Sequence, residues 1–400
     1  LVKTILIYLL FSCSIPVLAL ETKQLNDSIH VEFIGNEYSF EVKQKISLFK
    51  GEFNKENLIQ YATQLSLSDL NEISNSLIQI RNVKNFDDWI FYQLIRKTSQ
   101  ELIKKKDDYI GYTLCKWYLL KQAKFEPLLS LSKDKLLIYI KCEDNVYNQP
   151  LKTINNQQYI CLNYHDYNYE IDFNNEKFTN LYNLISEANN FSFKINDLPS
   201  SNKIIYSNKV LNYSYKNRND FITVKIDPQI GLIFRNYPVV DYESQFNIPL
   251  SKETYESLIP ALKEKTKNLS ITKGVEYLMY FTRHAFLYER DTEIFGREKR
   301  FSPEETLLNE KSDCEDRSAL FFLLVKELYN LPMIVVSYPE HITVAVKLDR
   351  AVRHQIIYKG ESFTICEPTP QKRDFRIGEQ ANQMIRKPYE IEFAYHPFNK

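Results

Sequence analysis

Cys314, His341 and Glu367 are the residues whose types, order and settings could together break an amide bond. Cys314 lies in Ser312-Asp313-Cys314-Glu315-Asp316-Arg317, immediately before the apolar run Ser318 to Val325. This pattern predicts the first turn of a largely buried helix, capped by Asp313 or Ser312, with acids at the positive end of its dipole. A sulfur beside unpaired backbone N–H groups is favoured as thiolate, so Cys314 is expected to ionise below the ordinary value of about 8.5, with Asp313, Glu315 and Asp316 solvated. His341 opens the apolar strand His341 to Val346, and Glu367 closes the strand begun at Ser362, ahead of Pro368-Thr369. A helix-borne nucleophile, a strand-borne base and a carboxylate to orient that base suit thiolate attack on a carbonyl, followed by protonation of the leaving amine. The backbone N–H of Cys314 offers one oxyanion donor, and Gln245, Tyr242 and Tyr255 are candidates for a second. Cys366, adjacent to Glu367 on a strand, should point the opposite way into the core.

Other readings of these residues carry less. Cys314 as a small buried hydrophobe fits poorly with three acids beside it. Cys314 and His341 with Cys366 or Glu367 would be acceptable zinc ligands, but their spacing is not that of a compact site, so no metal and no cofactor is expected. His284, among Tyr280, Phe281, Phe286 and Leu287, reads as a packed helix residue.

The three segments resemble the transglutaminase-like domain of the papain-like thiol superfamily, which reads roughly G-D-C-E-D on a helix, H-A-x-V on a strand, then D-P-T. The matching residues are Ser312 to Asp316, His341-Ile342-Thr343-Val344 and Glu367-Pro368-Thr369, and the resemblance covers roughly residues 250–370. Ser312 replaces the family's glycine. Glu367 replaces its aspartate, so an extra methylene must be absorbed for the carboxylate to reach His341. The resemblance implies thioester-forming acyl transfer on an amide of a protein or peptide substrate, completed by water or an amine. Water is the expected acceptor, because no second amine site is visible. The alternative it leaves open is a non-catalytic cell-envelope binding or assembly protein that keeps the fold with an idle triad.

Residues 1–19 carry Lys3 followed by an almost wholly apolar run ending Val17-Leu18-Ala19, which predicts a signal peptide and an exported protein, periplasmic, secreted or envelope-associated. Lipidation of Cys13 is a weaker alternative. The run is too short and too broken by Pro16 for a comfortable membrane span, so no transmembrane helix is expected after its removal. The 51 basic and 51 acidic residues balance, leaving no basic field to attract nucleic acid. Of the five cysteines beyond the leader, Cys142 and Cys161 flank a turn and could bridge.

The overall expectation is an α+β chain. Residues 20–165 form an N-terminal helical and α+β domain, 166–249 a β-rich domain resembling a small sandwich, and 250–400 the transglutaminase-like domain. The two ends also echo each other at an offset of 205: Leu119 with Leu324, Lys121 with Lys326, Pro127 with Pro332, Ser132 with Ser337 and Cys161 with Cys366. Arg96 pairs with Arg283 only at 187, which implies an insertion near Arg290 to Pro303 in the second copy. The first copy would then be degenerate, with Tyr109 in place of Cys314, Leu136 or Lys135 in place of His341 and Leu162 in place of Glu367. Its cleft is expected to hold no titratable pair.

Overall fold

Two antiparallel sheets of five strands, each carrying one long buried helix, dominate a computed structural model that describes residues 27–181, 188–200, 206–350 and 352–397. The expected signal peptide, residues 1–19 with Cys13, lies outside the described residues. The C-terminal sheet runs Gln355–Tyr358, Glu361–Cys366, His341–Val346, Met333–Tyr338, Glu390–Tyr395. The N-terminal sheet runs Leu151–Ile154, Gln157–Cys161, Lys135–Lys141, Pro127–Ser132, Thr179–Leu181. Strand for strand, the order is the same. Each sheet packs against the helix that precedes its central hairpin, Cys314–Tyr329 in the second and Tyr109–Gln122 in the first. The chain is mixed α+β, with its architecture repeated.

The offset between copies is not constant. Both long helices begin one residue after a capping aspartate, Asp108 and Asp313, which sets 205. The central hairpins align at 206, because Ser132 faces Lys135 as Tyr338 faces His341. The next strand aligns at 204, because Tyr139 faces Cys161 as Ala345 faces Ile365. Lys135 therefore stands in the place of His341, and Asn163, not Leu162, in the place of Glu367. The match of Cys161 with Cys366 is a coincidence of residue type. A one-residue slip turns a side chain to the other face of a sheet. Cys161 packs with Leu137, Tyr139 and Tyr159 on the face away from the helix, whereas Cys366 packs with Val344 and Val346 beneath the Cys314 helix.

The Cys314 helix forms because its ends are settled locally and its body is apolar on every side. Asp313 and Asp316 make a reciprocal capping box, and Asn330 ends the helix in the left-handed conformation at φ 48°, its N–H donating to the carbonyls of Val325 and Lys326. Every residue from Ser318 to Val325 is buried. Each large apolar side chain so placed contributes about 1.5–3 kcal/mol, and truncating Phe322 to Ala would cost about 3–5 kcal/mol.

The described residues of 166–249 form no sandwich. The hairpin Ser207–Tyr215 and Arg218–Ile226 is a separate two-stranded sheet. A lone hairpin cannot bury its apolar face on itself, so Leu211, Tyr213, Ile222 and Val224 pack into the C-terminal core with the helices Lys252–Thr266 and Ile271–His284. The chain then returns to the N-terminal core through Ile230, Phe234, Val240 and Ile248. No Cys142–Cys161 bridge forms: both are free, buried thiols. Among the described residues, no helix is long and apolar enough to cross a membrane.

Candidate active site

The helix, the hairpin and the strand end bring Cys314, His341 and Glu367 together at one end of the C-terminal sheet's strands. His341 follows the two-residue turn Pro339-Glu340, and its Nε2 lies 2.7 Å from Glu367 Oε2. The other carboxylate oxygen, Oε1, accepts from the backbone N–H of Thr369 at 2.9 Å. The extra methylene of glutamate is thus absorbed with both oxygens engaged. With Nε2–H donated to Glu367, Nδ1 is left as the base. Burial pulls His341 toward the neutral form, but the charge and hydrogen bond of Glu367, aided by Glu315, raise its pKa above the ordinary imidazole value.

Cys314 occupies the first turn of its helix, and the backbone N–H of Ile342 donates toward its sulfur, which sets Sγ beside the residue after His341. Sγ is not hydrogen-bonded to the imidazole. Its S–H instead donates to Glu315 Oε2 at 2.8 Å. Burial, then the charges of Glu315 and Asp313, push the thiol well above its ordinary pKa. The expected depressed thiol is therefore not found, because the acids are not solvated: Asp313 is buried, Asp316 is wholly inaccessible, and Glu315 is half-buried.

Those acids belong to a larger cluster. Asp291, Asp313 and Asp316 hold carboxylate oxygens within 4.8 Å of one another, and so do Glu298, Asp313 and Glu315. Asp291 and Glu298 come from the inserted segment between residues 285 and 313, which occupies only 103–108 in the first copy. Asp316 also accepts from the backbone N–H of Phe301 at 2.8 Å, so the insertion is tied to the helix start. Burial raises Asp291 to about 7, and burial with Asp291 as neighbour drives Asp316 well above the carboxylate range. Shared protons relieve the crowding; the all-oxygen sets are also the residues here that could hold a hard divalent cation. The mixed set with Cys366 does not assemble, since that thiol donates to the carbonyl of Thr364 within the core.

Of the proposed second oxyanion donors, Tyr242 is the one whose hydroxyl feels the charge of Cys314, with Arg300 stacked 3.8 Å from its ring centre. Gln245 has its Nε2 donated to the carbonyl of Phe301. Tyr255 donates to Glu327, about four turns along the helix from Cys314. His284 packs on Tyr280 with its Nε2 3.1 Å from Asp374.

Two buried arginines escaped the sequence reading. Arg283 donates to the carbonyls of Phe375, at 2.9 Å, and Glu367. Arg317 donates to the carbonyls of Arg283, at 2.8 Å, and Phe286, at 2.9 Å. Together they tie the Glu367 strand end to the Cys314 helix through the Ile271–His284 helix. Two arginines flanking an apolar helix pair are a weak signal, visible only once their inaccessibility is known.

The first copy assembles differently at the matching place. Tyr109 replaces the cysteine, and Asn163 Nδ2 donates to its hydroxyl at 2.9 Å. Asn163 also accepts from the N–H of Ile138 and donates to the carbonyl of Leu136, both at 2.8 Å. Lys135 turns outward to Asp134 and Glu176. The turn Tyr164–Tyr167 fills the remaining space, and its Asp166 meets Lys105 at 2.6 Å, His165 at 3.1 Å and Lys116 at 3.8 Å. The expectation that this cleft holds no titratable pair is overturned, because residues after the last strand fold back into it. No family model matches the chain, and no curated protein or solved structure matches it.

Proposed function

We propose that the chain is a transglutaminase-like cysteine hydrolase acting on amide bonds of a protein or peptide outside the cytoplasm, with Cys314 as nucleophile, His341 as base and Glu367 as its orienter. The observation that carries this reading is the His341–Glu367 hydrogen bond of 2.7 Å, which frees Nδ1 beside the strand position that contacts the Cys314 sulfur. The resting thiol keeps its proton. Substrate entry would move that proton to His341 Nδ1, the sulfur would attack the carbonyl, and the imidazolium would protonate the leaving amine before water releases the thioester. The backbone N–H of Cys314 and the Tyr242 hydroxyl are the donors available to the oxyanion.

Incubation with a library of fluorogenic peptide amides, read by fluorescence and by intact mass, tests the reading. An acyl adduct on Cys314, lost in Cys314→Ala and His341→Ala, is expected. Absence of both turnover and adduct would reject it. A second reading, a binding or assembly protein with an idle triad, is favoured by the Cys314–Glu315 hydrogen bond and the raised thiol pKa.

A further inference from the structure

The first copy holds an open groove of about 450 Å³ that the chemistry at Cys314 does not use. It runs between the helix Lys55–Ser66, the second half of the Tyr109–Gln122 helix and the paired strands Pro127–Ser132 and Thr179–Leu181. Leu58, Trp117 and Leu129 give it an apolar floor, and half-exposed Ile59 lines it too. The hydroxyls of Thr63 and Ser66 donate to carbonyls of their own helix, at 2.9 and 2.7 Å. The charged lining is Lys55 and Lys121, and among the described residues no Asp or Glu lines the groove. Lys55 is exposed and Lys121 half-buried, so a ligand can reach both ammonium groups.

The second copy shows what such a place takes. Trp117 stands where Phe322 does, at the offset of 205 set by the helix caps. Phe322 is covered by the rings of Phe393, Phe246 and Tyr395, with centres 5.3, 5.6 and 5.8 Å away. Among the described residues no ring packs on Trp117, and Leu181 faces Leu129 where Phe393 faces Val335. The lysines differ in the same sense. Lys326 donates to Asn247 Oδ1 at 2.7 Å and lies 5.3 Å from the centre of the Tyr395 ring. Its counterpart Lys121 lies 5.4 Å from the centre of the Trp117 ring, and among the described residues no oxygen accepts from its ammonium. An apolar groove with no ring in it and an ammonium with no acceptor suit the two ends of one occupant, an apolar body and an anionic head.

We infer that this groove binds a small amphiphilic carboxylate, its apolar body lying against Leu58, Trp117 and Leu129 and its head accepting from Lys121, with Lys55 adding to the positive field. The first copy is then a ligand-binding module, and this holds whatever the reaction at Cys314.

The test uses the full chain with sodium 4-phenylbutanoate as probe, followed by calorimetry and thermal unfolding, with 4-phenylbutan-1-ol and 4-phenylbutylamine in parallel. Saturable binding of the carboxylate that raises the melting temperature is expected, with the alcohol weaker by about tenfold or more and the amine weaker still. Lys121→Gln, a change at a half-buried position, should keep the fold and bring the carboxylate down to the level of the alcohol. Leu181→Phe supplies the ring that Phe393 brings to the second copy, so it should weaken the probe by about tenfold or more without lowering the melting temperature of the free protein. No binding at all, alcohol or amine bound as tightly as the carboxylate, or undiminished affinity in Lys121→Gln would each overturn the proposal. Self-association in sedimentation that Leu181→Phe abolishes would overturn it too, by assigning the groove to a second copy of the chain.

Discussion

The two halves of the molecule share a sheet order, a helix and a capping aspartate, yet they spend their polar residues in opposite ways. In the second copy the helix start, hairpin and strand end present Cys314, His341 and Glu367, with one ring nitrogen uncommitted. In the first, Tyr109, Asn163 and the strand backbone satisfy one another, and Asp166 closes over them with its charge set against Lys105 and Lys116 and with His165 beside it at 3.1 Å. Burial lowers Lys116 to about 8 and His165 to about 4, whereas Asp166, opposed by burial, is held well below the carboxylate range by His165 and Lys116. One is a network in which opposite charges face each other. The other is a crowd of like charges around a thiol. Crowded like charge, more than fold, separates the second copy from the first.

The largest test of that contrast is an exchange of nucleophile positions. Cys314→Ala should lower amide hydrolysis by about 10³-fold or more, and adding Tyr109→Cys should restore none of it in the same fluorogenic assay. Restored activity would mean that the first cleft is open after all.

A stability comparison comes next. Asp166→Ala leaves Lys116 buried without its counter-charge and should cost about 3–5 kcal/mol by urea unfolding. Asp316→Asn removes no counter-charge but turns an amide NH2 onto one of the two buried N–H groups the carboxyl accepts from, so it should cost about 1–3 kcal/mol, less than Asp166→Ala. Similar losses from both would erase the distinction between the copies.

These differences were only partly legible in the residues. The Cys314 helix was readable because its cap, its acids and its apolar run are adjacent, and the hairpin placed His341 because strand alternation is local. Asn163 was missed for Leu162 because strand register depends on pairing with Lys135–Lys141, which no local pattern reports. The acids beside Cys314 read as solvated because their cover, Asp291 to Phe301, folds back from a polar stretch resembling an exposed loop. The apolar alternation in 207–226 was real, but its partner face is a helix pair and not a second sheet.

A smaller effect concerns the thiol itself. Glu315→Gln removes the charge that accepts the Cys314 proton, so iodoacetamide labelling near neutral pH should accelerate at Cys314, with Cys115, Cys142, Cys161 and Cys366 unchanged by mass mapping. An unchanged Cys314 rate would show that burial alone holds the proton.

The smallest expected effect is a slope. Asp291 titrates near 7 when folded, above its unfolded value, so its stabilising contribution is complete at acid pH and is lost as pH rises through about 7. Asp166 has the reverse sign: its contribution is present above the ordinary carboxylate range and is lost only in stronger acid. The urea midpoint should therefore fall modestly between about pH 5 and about pH 8, and Asp291→Asn should flatten that fall.

The route of the chain between the halves bears on how the molecule is made. Trp89 donates its indole N–H to the carbonyl of Ile233 at 2.9 Å, and Tyr237 its hydroxyl to the carbonyl of Phe193 at 2.5 Å. A nascent chain cannot finish its first core until those late residues have left the ribosome, by which time the 207–226 hairpin has emerged and waits for helices not yet synthesised. The halves are laced rather than strung in series. Neither can be expressed alone by a single cut, and both should unfold together in one transition.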